Sequence, residues 1–242
     1  MLRTILCGAL IILGTASAMA VPPAQYDIPN LQNMTDFVFA NGMINPNDQD
    51  QLIEYVMIKD CDLYKEYYLD DFAWNKIRAR ILDNSKELHD DVITHFVMPA
   101  NFLVTRYNFT TKSFDLSKSS QLINVNLMNL TKDVVPLCPR LNVSPSLKML
   151  PYYYYLKIDT PLSLYRIPMA EDMGKKILDS METVQEGGMV SRRLYALLYM
   201  SADSVLDLNN QKGVFLGRID KIEFFLDQKR TQRIRTLVYS DL

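Results

Sequence analysis

Apolar side chains along this chain change their period once. From about residue 30 to 94 they recur every three or four positions, as on one face of a helix. Beyond about 95 they alternate or run together, as in strands. Asn30 is placed to cap a first short helix, with Leu31, Met34 and Val38 on one face and Gly42 as its stop. Asn45-Pro46 pairs a cap residue with proline at a first helical position, ahead of Leu52, Ile53, Val56 and Met57. Leu63, Tyr64, Tyr67 and Tyr68 mark a third helical stretch. Asp70 or Asp71 caps a fourth, with Ile77 and Ile81 facing inward and Trp74 as a partly buried anchor.

Past His95 the chain reads as extended from Phe96 to Asn108, then turns at Thr110-Thr111-Lys112 before Phe114 and Leu116. Ile123, Val125 and Leu127 alternate with asparagines, the period of a half-buried strand whose apolar set faces inward. Residues 132–151 hold four prolines and read as a long surface connection. Tyr152 to Ile158 and Leu162 to Ile167 read as two strands parted by Asp159-Thr160-Pro161. Pro168 opens a helix in which Met169, Met173, Ile177 and Met181 recur every fourth residue, ending at Gly187-Gly188. Leu194 to Met200 is apolar enough for a central strand. Gly213 to Leu226 and Ile234 to Tyr239 form a hairpin around Gln228-Lys229-Arg230, with Ile222, Phe224 and Leu226 on one side of its first arm and Ile234, Thr236 and Val238 on one side of its second. The expected class is α+β: an N-terminal helical subregion, about 30–94, then a mainly antiparallel sheet with one packed helix, about 95–242. With no Gly/Ser-rich or charged linker between them, residues 21–242 read as one domain.

The first twenty residues stand apart from this pattern. Arg3, the apolar run from Ile5 to Leu13, and the small residues Ala16-Ser17-Ala18-Met19-Ala20 have the order of a secretory signal peptide. Cleavage is expected after Ala20, with Ala18 as the second choice, giving a periplasmic or secreted protein. No later stretch reaches the roughly 18 apolar residues of a spanning helix, so no transmembrane span is expected in the mature chain. A bacterial periplasm is the preferred compartment, with a eukaryotic secretory route left open. The formal charge of −2 gives no field drawing the chain to nucleic acid. Cys61 and Cys138 survive cleavage. In an oxidising compartment they read as a disulfide, which would stabilise the fold by about 4.5 kcal/mol on the chain-entropy model; two unpaired buried thiols are the alternative.

Candidate chemistry is sparse. The 8 glycines form no phosphate-cradling motif, and no nucleophile elbow occurs. No cofactor is expected. Glu87, His89, Asp90, Asp91 and His95 are metal-ligand types in nine residues. The two histidines lie six apart, off the i, i+3 or i, i+4 spacing of one helix face, so no metal site is expected and a solvated helix end is the simpler reading. Asp60, Asp62, Glu66, Asp70 and Asp71 offer carboxylates, but capping explains Asp70 or Asp71 more cheaply than acid–base work. Asn45 to Asp50 is rich in oxygens yet lacks the glycine and closing glutamate of a calcium loop.

Two binding candidates remain. Tyr152, Tyr153, Tyr154 and Tyr155 on a strand would send two rings to the core and two outward, toward solvent or a partner. Lys229, Arg230, Arg233 and Arg235 gather four cations in seven residues, either to meet an anionic partner or to shield an edge strand from pairing. Asn33, Asn108, Asn129 and Asn142 are sequons, meaningful only in a eukaryotic host. These observations favour an exported, non-enzymatic binding or scaffolding protein of the cell envelope, its partner a protein or another envelope component. The alternative is an exported hydrolase with a site assembled from acidic residues and His89 or His95. Protein recovered from its own host is expected to begin at Val21 and to weigh two hydrogens less than the reduced chain. Intact-mass spectrometry checks both points, and a retained Met1 or two free thiols would overturn them.

Overall fold

A computed structural model describes residues 25–67, 69–131, 147–186 and 188–238; of residues 84–91, 186 and 189 only the backbone is described. Its first helix, α1 (Leu31–Ala40), begins where Asn30 and Asn33 cap each other: each side-chain carbonyl accepts the other's backbone N–H, at 3.0 and 2.8 Å. Gly42 leaves the helix at φ 71°, a turn that favours glycine. α2 (Gln49–Lys59) starts later than Asn45-Pro46 had indicated. Asn45 Oδ1 accepts the Asn47 N–H in a local turn, and the Asp48 carboxylate takes the amides of Asp50 and Gln51. α3 (Cys61–Tyr67) and α4 (Asp71–Asp91) follow, α4 capped by Asp70 through the amides of Phe72 and Ala73. Trp74 is buried outright rather than in part.

The rest is dominated by one large, curled, mixed sheet. Its nine described strands are β1 (His95–Asn108), β2 (Ser113–Leu116), β3 (Leu122–Asn129), β4 (Tyr153–Leu164), β5 (Arg166–Pro168), β6 (Glu182–Glu186), β7 (Met189–Leu208), β8 (Lys212–Phe225) and β9 (Arg233–Val238). Their order is β3-β4-β8-β7-β1-β2-β5, with β6 beside β7 and β9 beside β8. The α+β class thus holds, with the sheet as the larger part. Every strand pair is antiparallel except β4–β8, which runs parallel from Tyr153↔Lys212 to Ile158↔Gly217. That pair joins strands about fifty residues apart and has no local sequence signature.

Several expected elements are redrawn by these pairings. β4 runs unbroken through Asp159-Thr160-Pro161, because its pairing with β8 has ended at Ile158 and the missing proline N–H breaks no bond on that side. In β3, register shifts on both sides of Val125, with Asn124 at φ 50°, break the alternation: Val125 packs on the core as expected, joined by Leu122 and Met128, while Ile123 and Leu127 are exposed. A similar shift between Phe224 and Phe225 puts Leu237, rather than Thr236 or Val238, inward on β9. Pro168 closes β5 instead of opening a helix. α5 (Glu171–Leu178) begins three residues on, with Met173 exposed and Gly174 seated under the Tyr107 ring.

Helices and sheet share one hydrophobic cluster, which joins Met34, Phe37, Val56 and Trp74 to Leu156, Leu198, Phe215 and Ile222. At its centre the Tyr154 ring lies over Gly213, and the tyrosine hydroxyl meets Thr35 Oγ1 of α1 at 3.2 Å. Phe215 stands between the two layers, its ring 5.4 Å from Tyr154 and 4.8 Å from Phe37. A second tie is Glu54 of α2, whose buried carboxylate accepts the consecutive amides of Lys148, Met149 and Leu150 at 2.6–3.1 Å. Two glycines mark close approaches. A Cβ on Gly213 would lie 2.5 Å from the Tyr154 ring, and one on Gly217 would lie 2.0 Å from the Ser201 carbonyl oxygen. Gly217→Ala is expected to destabilise by about 3 kcal/mol, the upper end of overpacking, because backbone must move. Tyr154→Phe should lose only about 1 kcal/mol, since Thr35 keeps its bond to the Leu31 carbonyl. Urea unfolding midpoints check the order of the two.

Candidate functional site

The sheet face turned away from the helices carries most of the described ionisable contacts. Three register shifts along β7–β8 put Asp203, Leu206 and Asp220 outside the regular pairing. Asp220 is the extra residue between Lys221↔Tyr199 and Ile219↔Met200, so it and Lys221 both reach the outer face. Its carboxylate accepts the Ser201 hydroxyl at 3.0 Å and the Tyr26 hydroxyl at 3.2 Å, and lies 3.3 Å from Arg218 Nε. Arg218 also reaches Asp203 at 3.3 Å. Tyr26 is delivered by the segment before α1: Asp27 donates to the His95 carbonyl and accepts from the Val97 N–H. The Tyr26 ring packs edge-on against His95 and Tyr199. Burial, then the Asp220 charge, pushes its hydroxyl pKa up.

One step along β8, Glu223 is nearly buried and fully engaged. Tyr199 Oη donates to it at 2.9 Å, Lys221 Nζ at 2.9 Å and Arg233 at 2.8 Å, while the Lys221 ammonium also sits 4.2 Å above the Tyr199 ring. Burial pushes the Glu223 carboxyl up. The bonds and charges of Lys221, Tyr199 and Arg233 outweigh that and hold it below the ordinary carboxylate range. Tyr199, half-buried and facing Glu223, is pushed up to about 12, by desolvation first and then by the Glu223 hydrogen bond and charge. Asp203, Asp220 and Glu223 thus face Arg218, Lys221 and Arg233, an even charge balance.

The residues singled out from sequence are partly gathered here. His95 lies opposite Ser201 in the strand register, and Ser201 is bonded to Asp220, so histidine, serine and aspartate stand on the adjacent strands β1, β7 and β8. Their connections differ from a nucleophile relay: Ser201 is 2% exposed and donates to the carboxylate, while His95 Nδ1 bonds Thr94 Oγ1 at 2.8 Å. The side chains of Glu87, His89, Asp90 and Asp91 lie outside the described set. Asp60 and Asp70 cap helices, and Asp62 pairs with Lys65. Among the described residues no three His, Cys, Asp or Glu side chains converge as a metal site. Cys61 opens α3; Cys138 lies outside the described residues, as do the signal segment and Asn142. Asn33 is buried and committed to capping.

The basic run divides. Lys229 and Arg235 are exposed, Arg233 holds Glu223, and Arg230 folds back to donate to the Ala196 and Gln228 carbonyls. Asp227 secures that tip by accepting the amides of Thr231 and Gln232. The tyrosine run divides as its alternation implies. Tyr154 is core, Tyr153 and Tyr155 face outward, and Tyr152 Oη accepts the Leu147 N–H. Along this stretch of β4 the outer face mixes apolar and basic side chains: Lys212 stands opposite Tyr153, Leu127 and Leu216 flank Lys157, and Leu206 is exposed on β7. Tyr26, Ser201, Asp220 and Glu223 were not foreseen. The sequence signal for them is the run of charges Arg218, Asp220, Lys221 and Glu223 set into the apolar second half of that arm. Inside the curl, a cleft of about 280 Å³ lies between β1 and β3, lined by Met98, Phe102, Val125, Met128 and Leu162 among others.

Because Glu223 is held below its ordinary pKa, the stability it lends is present above the unfolded value, about 4.3, and is lost as pH falls through the lowered folded value. Glu223→Gln is expected to destabilise by about 2 kcal/mol at pH 7 and by progressively less below pH about 4. Urea midpoints of both proteins across that range check this; a difference independent of pH would contradict the assignment.

None of the described helices is long and apolar enough to cross a membrane. No curated protein and no solved structure shows significant similarity to the chain. One family model does match, described as a domain of unknown function (DUF4852), over residues 48–180, from the Asp48 cap of α2 through α5. That match spans more than half of the 242 residues, and the chain belongs to the DUF4852 family.

Proposed function

We propose that this chain is an exported, non-enzymatic binding protein of the cell envelope, working in a bacterial periplasm after loss of residues 1–20. Its contact with a partner protein is the outer face of β3, β4, β8 and β7. The observation that carries this reading is the exposure of large apolar side chains on that face: Tyr153 at 42%, Leu127 at 47% and Leu206 at 51%. Tyr155 and Leu216 lie among them, with Lys157 between Leu127 and Leu216 and Lys212 opposite Tyr153. Exposed apolar side chains interleaved with lysines give a partner both area to cover and cations to pair, and a tyrosine there brings large area with a polar tip. A Cys61–Cys138 bridge belongs to the same reading, since export supplies the oxidising compartment.

The second reading, an exported hydrolase, draws on His95, Ser201 and Asp220 standing on adjacent strands. Against it stands the burial of Ser201, whose proton is already committed to Asp220.

A photo-crosslinking residue placed at Leu127 or Tyr153 in the native host is expected to yield one discrete protein adduct, lost on Leu206→Asp. The same residue at Arg80, exposed on α4, should yield none. Equal adducts from all three positions would overturn the contact face. Recovery of the uncleaved chain from the cytoplasm would overturn export.

A further inference from the structure

On the helical side, away from the sheet's outer face, the start of α2 meets the start of α4 around a cleft of about 280 Å³. Gln49 and Leu52 line it from α2. Asp71, Trp74, Asn75 and Arg78 line it from α4, at i, i+3, i+4 and i+7, so a single helix face presents all four. Trp74, only 4% exposed, forms part of the wall. Its Nε1–H is the one buried side-chain polar atom without a hydrogen-bond partner among the described residues. A buried donor left unpaired costs about 1–3 kcal/mol, and native proteins rarely keep one without a reason.

We propose that this cleft binds a neutral, hydroxyl-rich ligand of the saccharide class, one of whose oxygens gives the Trp74 N–H its acceptor. The lining fits that chemistry in three ways. First, a sugar hydroxyl both donates and accepts, and the wall offers each role: Asp71 accepts, Arg78 and Trp74 donate, and the amides of Gln49 and Asn75 do both. Second, charge disfavours an anion. Asp71 and Arg78 cancel, and the amides at the two helix starts are already taken by the capping carboxylates of Asp48 and Asp70, so no anion-attracting terminus is left open. Third, the volume falls just below the usual range of ligand pockets, about 300–1,000 Å³, which suits a single ring rather than a chain. Gln49, Asp71, Asn75 and Arg78 are all exposed, so a rotamer change at the mouth opens the way to the indole N–H. The inference does not depend on the proposed partner face, since the two sites share no residue.

Trp74 is the only tryptophan in the chain, so one indole N–H resonance and the whole tryptophan fluorescence report on this cleft alone. Mature full-length protein, labelled with nitrogen-15, is titrated with glucose and with N-acetylglucosamine, and separately with acetate and inorganic phosphate. The expected result is a saturable shift of the indole resonance with a sugar, with Kd on the order of 1 mM. Asn75→Ala and Arg78→Ala, both at exposed positions, should each weaken binding about tenfold without lowering the melting temperature. Trp74→Phe keeps the packed ring, removes the donor and should abolish binding by calorimetry. No shift with either sugar, a shift with acetate or phosphate alone, or a sugar shift unchanged in the Asn75 and Arg78 variants would each overturn the proposal.

Discussion

Tyr154 is the side chain on which the two layers of this fold depend. Its ring has room only because Gly213 carries no Cβ, and its hydroxyl reaches Thr35, 119 residues away in α1. Its backbone N–H is taken by Thr131 Oγ1 and its carbonyl by the Leu130 N–H, so the end of β3, the start of β4, β8 and α1 all meet at one residue. Burial raises the phenol's pKa, so the hydroxyl stays neutral throughout the working range and serves as a hydrogen-bonding group. The parallel β4–β8 pairing follows from this packing: a shift by one residue would turn the ring to the outer face and leave Thr35 opposite nothing. Glu54 plays the matching part at the other side of α2, where one carboxylate fastens three successive amides of the chain that leads into β4.

With one face of the sheet given to the helices, the other had to manage charge and apolar surface together. It does so in two zones. Near Tyr26 and Tyr199, acids and bases from three strands neutralise one another, and the bulge at Asp220 is what brings a carboxylate to Ser201 and Tyr26. Along β4 from Tyr153 to Lys157, exposed tyrosine and leucine side chains are interleaved with two lysines and the face is open. The first zone reads as internal bracing of a sheet whose three shifts in β7–β8 bend it. The second is where a partner gains most by covering it.

The helical half was the more legible. Asn30 and Asp70 cap the helices assigned to them, and Leu52, Val56 and Met57 point inward, because a cap and a 3.6-residue period are written within a few neighbouring positions. The misplaced start of α2 was a contest between two nearby caps, Asn45 and Asp48, that only hydrogen-bond geometry resolves. The sheet was legible in outline and misread wherever a bulge intervened. Alternation puts Ile123 and Leu127 inward, and irregularity around Asn124 turns them out. The candidate sites fared the same way. Tyr153 and Tyr155 follow from strand periodicity alone. Asp220 and Ser201 meet only through a register shift, and the i, i+3, i+4, i+7 face of α4 acquires a cleft only because α2 lies across its first turns.

By itself, then, the sequence determined where helices begin, which stretches extend, and that the α+β class would follow, since each of these rests on contacts between residues near in the chain. The tertiary structure alone decided the parallel β4–β8 pair, the outward turn of Asp220, the burial of Trp74 and the division of the basic run between bracing and solvent. Those outcomes depend on strand register and on which face a neighbour covers. A one-residue change in either reverses every side chain, and no local pattern records it.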